Sequence, residues 1–114
     1  MITGAHMIVH SPDAEGLREF FRDVLGFPAV DAGGGWLIFG LPPAELATHP
    51  ATGEAHHELY LMCDDVDATV KELEAKGVEF AWPVSDEGWG RLTAIKLPGG
   101  GELRLYEPRH PTAI

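Results

Sequence analysis

The sequence predicts an α+β fold made of two tandem β-α-β-β-β units, their strands forming a concave sheet and their helices lying outside it. Three observations predict it. Two amphipathic helical stripes, ending at Leu25 and Leu73, each follow a short alternating segment. Each stripe is stopped by a glycine, Gly26 or Gly77, and each is followed by extended runs separated by turn residues. The two copies repeat at roughly fifty residues, as an internal repeat does. The expected units are 4–50 and 55–108 within one domain, 1–114, because neither unit alone could bury its sheet face.

Taken in order, residues 4–10 alternate, with His6, Ile8 and His10 on one face and Met7 and Val9 on the other. Ser11-Pro12-Asp13 offers cap-type side chains and a proline suited to a first helical turn. Leu17, Phe20, Phe21, Val24 and Leu25 then follow helical spacing. Residues 27–31 and 36–41 read as strands around Gly33-Gly34-Gly35, and Pro42-Pro43 separates them from a short strand at 44–49 that carries Glu45.

The second unit starts with a strand at 55–63. Glu58, Tyr60 and Met62 share one face, and Leu59, Leu61 and Cys63 the other. Asp64-Asp65 opens a helix that runs to Lys76 with Val66, Val70 and Leu73 inward. Strands are expected at 78–82, 91–97 and 102–107, with a loop at 85–90, a turn at 98–101 and a stop at Pro108.

Composition narrows the partners. A formal net charge of −10 argues against nucleic acid and anionic membranes, which both require a basic surface; it either simply keeps the protein in solution, the plainer reading, or favours cationic guests. Cys63 is the only cysteine, so no internal disulfide forms, and its apolar face suggests a buried, inert thiol. No signal-like segment or membrane-length apolar run is visible, and a cytoplasmic protein is expected. Gly99-Gly100-Gly101 precedes a strand and no helix, so it reads as a hairpin turn and not a phosphate loop.

With these elements placed, the chain resembles the vicinal oxygen chelate superfamily of glyoxalases, bleomycin-resistance proteins and extradiol dioxygenases. The residues that carry the resemblance are His6 to Asp13, the run FFRDVLGF from Phe20 to Phe27, Asp65-Val66-Asp67, Gly77-Val78-Glu79-Phe80, Trp89-Gly90 and the ending Leu105-Tyr106-Glu107-Pro108. The resemblance implies metal ligands (Zn, Ni, Mn or Fe) on the concave face of the first and last strand of each unit. His6 and Glu45 match in the first unit. Glu58 matches in the second, because that register leaves Leu59 and Leu61 facing the helix. The final position, usually a glutamate, is Arg104, and a guanidinium cannot coordinate a cation.

Three readings follow. A metal is relocated to His6, Glu58 and Glu102; or Arg104 supplies the positive charge itself by pairing with Glu58 or Glu102 and no cofactor is needed; or these residues have no role. If that pair were buried, loss of Arg104 alone would cost about 3 kcal/mol. His10, Trp36, Tyr60, Trp89, Arg104 and Tyr106 are the candidate ligand contacts, with aromatic walls suited to a flat or cationic molecule. The favoured reading is a small-molecule-binding homodimer of the bleomycin-resistance kind. The alternative is a metal-dependent lyase or ring-cleaving dioxygenase with Glu45 or Glu58 as base.

Overall fold

The computed structural model describes Met1 and residues 5–114. Asp13 caps the first helix, its carboxylate accepting from the Gly16 amide at 3.0 Å. Helix α1 (Ala14–Glu19) then widens into a π-helical stretch at Phe20–Val24, where the Leu25 amide donates to the Phe20 carbonyl at 3.1 Å. Strands β1 (Ala29–Asp31) and β2 (Leu37–Phe39) form an antiparallel hairpin. Its turn is held by the Asp31 carboxylate, which accepts from the amides of Gly33 and Gly35.

Strand β3 (Tyr60–Met62) leads to helix α2 (Val66–Glu74), capped by Asp65 through the Ala68 amide at 3.0 Å. The helix ends as its composition predicts: the Gly77 amide donates to the Glu74 carbonyl and the Val78 amide to the Leu73 carbonyl, a Schellman closure. Strands β4 (Ser85–Asp86), β5 (Gly90–Lys96) and β6 (Glu102–Pro108) complete a four-stranded sheet ordered β3-β6-β5-β4. Strands β3 and β6 run parallel, which a tight turn cannot produce; α2 lies on the connection between them. Glu107 also ties β6 to α2, its carboxylate accepting from the Val66 amide at 3.0 Å.

One core serves both helices. Leu17 and Phe20 from the first helical segment join Val66 and Leu73 from α2 over Ile95, Leu103 and Leu105 of the sheet. The alternation of β6 dictates this, since its odd residues point to the helices and its even ones away. Among the described residues no helix is long and apolar enough to cross a membrane.

The α+β class is therefore observed, but several strands are shorter than the sequence suggests. Of the strand expected at 4–10, Gly4 lies outside the described residues, and the rest carries no strand pairing. Residues 44–49 carry none either. A strand exists only where another edge accepts its hydrogen bonds, and neither segment meets one among the described residues. Their apolar side chains stay open, with Ile8 66% and Leu46 94% exposed. The strand expected at 55–63 shrinks to the three residues that pair with β6, and that at 78–82 to one bridge, Phe80 with Ile95. The loop expected at 85–90 contains β4.

Candidate functional site

Register builds the site. Tyr60 pairs with Arg104 and Met62 with Tyr106 across β3 and β6, while Leu92 and Ala94 meet Tyr106 and Arg104 across β5. All of these side chains therefore share the sheet face turned away from the helices. On that face the rings gather around Tyr106. Trp89 meets it edge-on with centroids 5.4 Å apart, and Tyr60 does so at 5.9 Å. The Arg104 guanidinium carbon lies 5.6 Å from the Tyr60 ring centroid.

A fourth ring comes from beyond the last strand. His110 stacks on Tyr106 at 5.9 Å and an interplanar angle of 29°. Its Nδ1 lies 2.8 Å from the Pro111 carbonyl, which can only accept, so Nδ1 donates; in the neutral imidazole Nε2 is then the acceptor for the Tyr106 hydroxyl, 3.1 Å away. Tyr106 is consequently 9% exposed despite lying on the open face. The same tail reaches Glu45, whose carboxylate accepts from the Ala113 amide.

Beside the rings, a cleft of about 590 Å³ runs between residues 6–10 and the approach to β3. His6, His10, Glu58, Glu102 and Arg104 all line it. The structure thus brings the candidate residues together as two adjoining groups, joined where Arg104 meets Tyr60. Trp36 belongs to neither; it stands 63% exposed under the Arg18 guanidinium. His110 was not among the sequence candidates. Its only signal there is a polar ring two residues past Pro108, and its approach to Tyr106 is purely tertiary.

Arg104 pairs with Glu58, Nη1 to Oε1 at 3.9 Å, with side chains 40% and 47% exposed. That exposure corrects the cost expected for a buried pair. Solvent screens both groups, so Arg104→Met is expected to change stability by about 0–1 kcal/mol instead. His56 also approaches Glu58, at 3.6 Å.

The family model for the glyoxalase/bleomycin resistance protein/dioxygenase superfamily matches residues 4–108. The chain belongs to this superfamily. Among curated proteins it is 29% identical over 116 residues to a manganese-dependent 2,3-dihydroxybiphenyl 1,2-dioxygenase of Geobacillus genomosp. 3. That alignment takes in 89% of this chain and spans only 35% of the dioxygenase's length. Among solved structures it is similar to TnmS3, an antibiotic binding protein from Streptomyces sp. CB03234, at 25% identity and a TM-score of 0.66, covering 94% of this chain and 97% of that one. A lactoylglutathione lyase from Agrobacterium tumefaciens shares the fold alone, at 17% identity, a TM-score of 0.65 and 92% coverage of each chain.

Superfamily members that chelate a divalent ion need several oxygen and nitrogen donors converging on one point. Here His6, Glu58 and Glu102 line one cleft, yet among the described residues no group of three His, Cys, Asp or Glu side chains converges. Arg104 also places a permanent positive charge against Glu58. As arranged, these residues do not fit the family's chelate.

The chain's two tyrosines are both in this site. Burial pushes both phenols above the ordinary tyrosine value; Glu45 adds to this at Tyr106, while Arg104 opposes it at Tyr60. A phenol pKa raised in the folded state contributes stability that is complete below the unfolded value near 10 and is lost as pH climbs through the folded one. Phenolate absorbance of the native protein should therefore rise above pH 10, later than in urea, with alkaline destabilisation over the same window. Arg104→Met should move Tyr60 higher still. Native midpoints at or below those in urea would contradict the burial of these rings.

Proposed function

We propose that the concave face binds a small aromatic, preferably cationic, organic molecule without a metal cofactor, in a cytoplasmic homodimer. The observation that carries this reading is the ring cluster: Tyr60, Trp89 and Tyr106 form an apolar floor with Glu45 and Glu58 at its margins. Ring faces attract flat cations through dispersion and the quadrupole, and the acidic surroundings add attraction. TnmS3 supports the reading as a relative of matching length described as antibiotic binding. Arg104 supports the metal-free part of it, since its guanidinium cannot coordinate a cation and stands against Glu58. The exposed Ile8 and Leu46, on segments without strand partners among the described residues, support pairing with a second copy.

The dioxygenase relative and the shared cleft of His6 and Glu58 favour a second reading, a manganese-dependent ring-cleaving enzyme. In that reading His6 with Glu58 or Glu102 would have to hold the ion, which would supply Lewis-acid activation of a dihydroxylated ring, and Glu45 or Glu58 would serve as base. One experiment separates the two. The protein is titrated with proflavine, a flat cation, in EDTA, and separately melted with Mn²⁺ alone. The binding reading expects tryptophan quenching by proflavine and chemical-shift changes at Tyr60, Trp89 and Tyr106. It is overturned if proflavine leaves those signals unmoved while Mn²⁺ stabilises the fold, by about 2.7 kcal/mol at a hundredfold excess over its dissociation constant.

A further inference from the structure

The segment after β6 does not leave the sheet. The Arg109 amide donates to the Trp89 carbonyl at 2.9 Å, and its guanidinium pairs with Asp86 at 2.9 Å. These contacts fix the base of the segment at the rim of the ring cluster. His110 then lies on Tyr106 and is hydrogen-bonded to its hydroxyl, as described above. Three residues further on, the Ala113 amide reaches the Glu45 carboxylate. The segment thus crosses the floor from the Trp89 side to the Glu45 side, held at both ends and in the middle.

We propose that residues 109–114 are a strap occupying the binding face of the free protein, with His110 standing in for a ligand ring on Tyr106. This rests on reading the ring cluster as a binding floor. A guest that stacks on Tyr106 must displace His110, so its apparent affinity is reduced by the fraction of molecules that are strapped. The Arg109 anchor lets the remainder swing away as a tethered unit. Glu45 is released in the same movement, so an acidic side chain becomes available to a cation as the strap opens.

The experiment uses the full chain with His110→Ala, His110→Phe and a variant lacking residues 110–114, each first shown to be folded by a cooperative melt. Tyrosine nitration by tetranitromethane, read peptide by peptide, reports whether Tyr106 is covered, with Tyr60 as internal reference. Proflavine titration reports competition. Nitration of Tyr106 should be about tenfold faster in the His110→Ala and shortened variants, and proflavine should bind about tenfold tighter, for a mostly closed strap. His110→Phe keeps the covering ring and should stay near the parent in both. Unchanged nitration in His110→Ala and the shortened variant overturns the strap. Faster nitration with unchanged proflavine affinity overturns its competition with the guest. Faster nitration with no proflavine binding by any variant sustains the cover and sinks the binding reading instead.

Discussion

Gly90→Ala is expected to lower stability by about 1–3 kcal/mol, the usual consequence of forcing a methyl group into filled space. A Cβ at this position would lie 2.8 Å from the Glu107 carbonyl oxygen and 2.9 Å from Cδ2 of Tyr106. The carbonyl belongs to β6, which pairs with β5 along its whole length from Gly90 opposite Pro108, so it cannot recede without loosening that ladder. The ring is hemmed by Trp89, Tyr60 and His110. Urea unfolding should show an earlier midpoint at unchanged slope, and proflavine affinity should fall with the displaced ring. A stability change below about 0.5 kcal/mol would mean the approach of β5 to Tyr106 is looser than described.

Tyr106→Ala is the larger test, with an expected loss of about 3 kcal/mol, near the low end for truncating a buried aromatic ring. Three rings, those of Trp89, Tyr60 and His110, lose their common neighbour at once. Tyr106→Phe keeps the ring and sacrifices only the hydrogen bond to His110, about 0.5–1.5 kcal/mol. Proflavine should lose at least tenfold in affinity in the alanine variant, about 1.4 kcal/mol of stacking, and far less in the phenylalanine one. Equal losses in both would assign the hydroxyl, not the ring, as the feature that guests recognise.

How much of this the sequence revealed depends on how local each feature is. Helices at Leu17–Phe20 and Val66–Leu73 were legible because spacing, cap and terminal glycine all lie within one short segment. The face shared by Tyr60, Arg104 and Tyr106 was legible too, since alternation along two strands needs no knowledge of their neighbours. Strand formation at 5–10 and 44–49 was not, because it depends on an edge that distant or separate chain must provide. Trp36 illustrates the reverse error. Its ring suggested a pocket wall, but the hairpin of β1 and β2 sets it under Arg18, apart from the floor. His110 was missed because nothing next to it in the chain marks it. Only the return of the tail over β6 gives it a role. Glu45, expected as a base, accepts from the Ala113 amide, a pairing no periodicity encodes.

The lone cysteine gives this arrangement a native-state reporter. Cys63 directs its thiol at the Tyr106 carbonyl, 3.6 Å away, on the reverse of the strand that carries the rings, and burial holds the thiol above its ordinary pKa. Alkylating reagents should therefore react slowly with the resting protein and quickly once β3 peels from β6. The labelling rate then times local opening directly behind the floor, with no dye or mutation on the side where a guest would sit.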